Sequence, residues 1–131
     1  MISWIKKYWI SLLFSLLILI ACFINPKPLP PSPMSNFDKV VHFFMFLVLG
    51  GSIYFENTNH FKVAVRFRRI AWGTLFFPVL YGGLVELIQN YVSPYRTGDW
   101  GDFLWDSIGA FIAFAVALSI NRYYFVSLRS F

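Results

Sequence analysis

The sequence predicts an all-α integral membrane protein, a four-helix bundle with N and C termini in the cytoplasm. Three observations lead there. Four apolar runs approach the roughly 20 residues that cross the hydrocarbon core of a bilayer. The 131-residue chain is 58% hydrophobic and only 13% charged, with mean hydropathy +0.62, which is too apolar for a soluble globule. Its 16 Phe, 7 Tyr and 5 Trp suit the aromatic belts of membrane interfaces. This length holds one domain, residues 1–131.

The first run, about 8–24 (YWISLLFSLLILIACFI), follows Lys6 and Lys7. Leu19-Ile20-Ala21-Cys22 matches a signal-peptide end or a bacterial lipobox. Such short matches arise readily in Leu/Ala-rich helices, so the expected reading is an uncleaved span with a buried cysteine. Cys22 is the only cysteine, which excludes an intrachain disulfide and a cysteine-based metal site. The segment NPKPLPPSPMSNF follows, and its prolines forbid helix and favour an extended linker. The second span is expected over about 40–56, short but extendable at both ends. The basic connection ENTNHFKVAVRFRR then reads as a possible amphipathic extension of the third span, about 70–91. After SPYRTGDWGD the fourth span covers about 103–125. There is no internal repeat.

Orientation follows from the basic residues. Lys6, Lys7, Lys62, Arg66, Arg68, Arg69, Arg122 and Arg129 fall at the termini and in the second connection; Lys27, Lys39 and Arg96 fall on the other side. Eight against three puts the termini in the cytoplasm. The net charge of +5 is thereby topological, and no recognition motif points to nucleic acid. Five of the six acids then lie towards the extracytoplasmic side, with only Glu56 cytoplasmic.

The polar residues in the spans share a depth. Asp38 and Lys39 mark the outer end of the second span, and His42 lies one turn inward. Glu86 and Gln89 share a face near the end of the third. Asp102 and Asp106 are one turn apart at the start of the fourth. With a rise of about 1.5 Å per residue, His42, Glu86 and Asp106 all sit roughly 6 Å inside the outer boundary. Charges in a span cost about 2.5–3.5 kcal/mol each at the centre of the bilayer, so they are expected to face one another or a wet cavity. Gly82 and Gly83 beside Glu86, and Gly109, Ala113 and Ala117 beyond Asp106, are expected to let the third and fourth helices approach closely. Asp99 and Asp102 compete as caps for the fourth helix.

Asp38, Lys39, His42, Glu86, Gln89, Arg96, Asp99, Asp102 and Asp106 are therefore expected to line an extracytoplasmic pocket. Lys39 and Arg96 would hold an anionic group, arginine being suited to carboxylate or phosphate. Glu86 and His42 are the candidates for acid–base catalysis. The competing reading is a scaffold or accessory subunit whose polar cluster only locks the helices. A small transporter is a further alternative, although no pair of broken helices is evident. His42 with Glu86, Asp102 and Asp106 offers one nitrogen and several oxygens, but no HExxH or His-rich spacing supports a metal, and no cofactor is expected. Ser93, Thr97 and Ser107 lie nearby without a nucleophile elbow.

Asp38-Lys39 followed by His42, then Glu86-x-x-Gln89, then Arg96-x-x-Asp99-x-x-Asp102 and Gly109, resemble the VanZ-like family of small bacterial membrane proteins. The resemblance spans residues 38–113. It departs at Asp106, where the family usually shows Asn, and at Ala113, near where a second glycine is common. The family takes its name from a member associated with low-level resistance to the glycopeptide teicoplanin. The resemblance implies a multi-pass protein of the bacterial cytoplasmic (inner) membrane with a cell-envelope role, in contact with membrane lipids and with a lipid-linked or peptide cell-wall precursor as candidate partner. It supplies neither a chemical mechanism nor an oligomeric state. A lipid-modifying membrane enzyme is one further alternative.

Overall fold

The computed structural model describes residues 2–24, 36–61, 64–94 and 97–129, and the elements among them are all helical. They are α1 (Ile2–Lys7), α2 (Trp9–Phe23), α3 (Phe37–Phe61), α4 (Phe67–Ile70), a π-helical turn (Ala71–Phe76), α5 (Phe77–Val92) and α6 (Trp100–Arg129). The proline-rich linker, apart from its last two residues, lies outside the described residues, as does Arg96.

Among the described residues, three helices are long and apolar enough to cross a membrane: Phe37–Asn59, Phe67–Val92 and Trp100–Tyr124. The first apolar run forms the shorter helix α2. Tyr8, at φ −115° and ψ 31°, breaks α1 from α2. At the other end, Ile24 turns extended (ψ 144°) and ends the helix. The second span is longer than expected, because ENTNHF continues α3 rather than opening the next helix. Thr58 stays helical by returning its hydroxyl to the Tyr54 and Phe55 carbonyls.

The third span is one run of helix with an irregularity where the sequence predicts none. Pro78 has no N–H, and its ring crowds the carbonyl four residues back. The π-helical turn directly before α5 absorbs that misfit, and the Thr74 hydroxyl donates to the Ile70 carbonyl within it at 2.8 Å. α5 ends where Ser93 becomes extended (ψ 123°), as a residue preceding proline must.

Polar side chains turn inward and large apolar ones outward, the arrangement a lipid solvent favours. Leu12, Leu16, Leu80, Leu84, Phe111 and Val116 are all exposed, whereas His42, Glu86, Gln89, Asp102 and Asp106 are buried. Ile18, Cys22, Phe46, Leu49, Ile53 and Val85 knit α2, α3 and α5 together. Tyr54, Val65, Ile70 and Ala117 form a second cluster.

The stripe of small residues on α6 packs differently from the sequence expectation. Gly109 and Ala113 face α3 rather than the glycines of α5. A Cβ on Gly109 would strike the Phe43 carbonyl oxygen, and one on Gly50 would come within 2.7 Å of the Ala113 Cβ. On α5, Gly83 meets the Phe103 ring and Gly82 receives Asp106. α6 has room for two neighbours because its small residues serve α3 while its aspartates serve α5.

Candidate functional site

At the end of the bundle away from the chain termini, α3 and α6 start and α5 finishes. One turn into α3, His42 points inward and is 2% exposed. Its Nδ1 lies 2.8 Å from Asp106 Oδ1, and its Nε2 lies 3.7 Å from Asp102 Oδ2. Asp102 and Asp106 reach the same imidazole because a spacing of four puts them on one helical face. Asp106 is fully buried. It fits because α5 presents glycine there: a Cβ on Gly82 would lie 3.0 Å from Asp106 Oδ2 and 3.1 Å from the Phe46 ring.

Lys39 closes the cluster towards the surface. Its Nζ lies 3.1 Å from Asp99 Oδ2 and 3.2 Å from Asp102 Oδ1. Asp99, and not Asp102, caps α6: its Oδ1 accepts the Gly101 N–H at 2.7 Å. Asp99 precedes the span, and the Gly101 N–H and then the Lys39 ammonium hold its carboxyl below the ordinary aspartate value. The sign follows directly. The stability these contacts supply is complete at neutral pH and is lost only as the pH falls through that lowered value, under about 3.9.

Glu86, 5% exposed on α5, accepts the Asp99 backbone N–H through Oε2 at 2.8 Å. Gly98 makes this possible, since any Cβ there would strike the Glu86 carbonyl. The other oxygen, Glu86 Oε1, is buried with no hydrogen-bond partner among the described residues, and so is Asp106 Oδ2. His42, Glu86 and Asp106 each offer a ligand atom within 4.8 Å of the others. Beside them is a cleft of about 70 Å³ lined by Glu86, Leu87, Asn90, Gly98, Asp99 and Trp100. A far larger cavity of about 740 Å³ runs between α3 and α6 from Leu47 to Tyr124, but its lining has no ionisable group of this cluster.

Asp38 is exposed in the first turn of α3. Gln89 is buried, but its Nε2 donates to the Cys22 carbonyl at 2.6 Å. It satisfies an acceptor in the last turn of α2 and ties that helix to α5.

Sequence reasoning missed Glu56. It is 4% exposed and caps α2 from a neighbouring helix. Its carboxylate accepts the Ile10 N–H at 2.7 Å, the Ser11 N–H, and the Ser11 hydroxyl. A carboxylate at a helix N-terminus also meets the positive end of the helix dipole. The signal was Ser52-x-x-x-Glu56 on one helix facing Ser11 on another. Glu56→Ala, by stranding those donors, is expected to lower stability by about 2 kcal/mol, measured by unfolding in detergent.

A family model described as VanZ/LLP1 matches residues 2–121, and the chain belongs to that family. No curated protein and no solved structure matches it.

Proposed function

We propose that this VanZ/LLP1 protein is a multi-pass protein of the bacterial cytoplasmic membrane, with cytoplasmic termini and an outward-facing polar site. The site takes the headgroup of an anionic envelope lipid or of a cell-wall precursor. Eight of eleven basic residues on the side of the termini support this orientation. One observation carries the reading of a site rather than a clasp: Glu86 Oε1 and Asp106 Oδ2 are buried without a hydrogen-bond partner among the described residues. A cluster kept only to lock helices satisfies its polar atoms, because each orphaned one costs about 1–3 kcal/mol. Arg96 in the α5–α6 connection, and Lys39 at the rim, where Asp99 and Asp102 already share its charge, are the basic groups proposed to meet a phosphate or carboxylate. Glu86 and His42 are the groups placed for proton transfer if the headgroup reacts.

Glu86→Gln and Arg96→Lys preserve shape and remove, respectively, a charge and a two-pronged donor. Each is expected to abolish the envelope phenotype of the gene, teicoplanin susceptibility being one assay, while protein level and melting temperature stay near wild type. A phenotype lost only in proportion to stability would instead identify a structural clasp.

A further inference from the structure

We infer that His42, Glu86 and Asp106 bind one divalent transition-metal ion, with zinc as the reference ion. The three come from α3, α5 and α6, are at most 5% exposed, and bring their ligand atoms within 4.8 Å of one another. Ligands of one ion with bonds near 2.1 Å sit roughly 3–3.4 Å apart, so binding asks only for a small inward rotation of the two carboxylates. Both carboxylates keep a buried oxygen without a hydrogen-bond partner among the described residues. Asp106 Oδ2 faces α5 at Gly82, one turn before Glu86.

The charges point the same way. Among the described residues, Lys39 is shared by Asp99 and Asp102. The carboxylates of Glu86 and Asp106 are left with His42 alone among the described residues. Two buried negative charges need compensation, and a divalent cation supplies it in full. Asp102 Oδ2 stands 3.7 Å from His42 Nε2 and is anchored by Lys39. A carboxylate behind a metal-bound imidazole sets the tautomer and orients the ring, here leaving Nδ1 towards Asp106. One imidazole nitrogen with two carboxylates suits zinc or manganese better than calcium or magnesium, which favour oxygen alone. Three protein ligands leave a coordination position for water or an anionic oxygen. Metal binding stands whether or not the site handles a headgroup.

The test uses the full chain in detergent, stripped with a chelator and titrated with zinc chloride, with manganese and magnesium for comparison. Calorimetry and elemental analysis are expected to give one zinc per chain and weaker magnesium binding. The melting temperature should rise with zinc, as for any ligand of the native state. Asp102→Asn should weaken zinc by about 10–100-fold, and Glu86→Gln and Asp106→Asn by more. His60→Ala, at the only other histidine, should leave it unchanged. If a ligand variant does not fold, the zinc-dependent melting shift of the wild type and the Asp102→Asn titration still decide. Sub-stoichiometric zinc in the wild type, or affinity unchanged in every folded cluster variant, would overturn the site and leave its charges balanced by protons.

Discussion

Gly109→Ala should destabilise the bundle by about 3 kcal/mol, the upper end of the usual range for overpacking. One methyl group does this because of what it meets. The added Cβ would strike the Phe43 carbonyl oxygen and lie 3.1 Å from the Leu47 nitrogen. Both are backbone atoms of α3, so no rotamer change relieves the clash, and α6 must move away from α3. That movement undoes the contact of Gly50 with Ala113 and draws Asp106, three residues before Gly109, away from His42. Gly51→Ala is the control. A Cβ there meets nothing within 4 Å, and alanine favours helix over glycine by up to about 1 kcal/mol. Unfolding in detergent should therefore give opposite signs for the two variants. A Gly109→Ala protein within about 0.5 kcal/mol of wild type would show that α3 and α6 do not touch at this point.

The meeting of His42, Glu86 and Asp106 was legible because membrane helices obey simple arithmetic. A nearly constant rise per residue and a boundary marked by polar residues place each side chain at a depth, and charges at equal depth converge. Arithmetic of depth says nothing about rotation, however. It could not tell that the small residues of α6 face α3 while Asp106 reaches across to α5. Nor could it show that Gln89, on the same face as Glu86, turns to the Cys22 carbonyl. The π-helical turn was hidden for another reason: Pro78 announces a disturbance, but whether it becomes a kink or a widened turn depends on neighbouring helices. Glu56 read as a lone acid at the basic end because its partners, the Ile10 and Ser11 amides, are backbone groups that every sequence contains.

His42→Ala should cost about 3–5 kcal/mol, the other large effect, when measured with a chelator present so that no bound cation contributes. The substitution removes little apolar contact. Its cost comes from Asp106, which is fully buried, already has one oxygen without a partner, and loses the imidazole from the other. A buried carboxylate that has lost its partner is far more costly than an absent pair. Asp106→Asn alone should change stability by no more than about 1 kcal/mol, because an amide still hydrogen-bonds His42 and carries no charge. Adding Asp106→Asn to His42→Ala should then restore most of the lost stability, giving a coupling energy of about 2–3 kcal/mol in a double-mutant cycle. Additive effects would mean that Asp106 holds no charge against His42 in the metal-free protein. In that event the proton already resides on the carboxyl, and a cation entering the site would have to displace it.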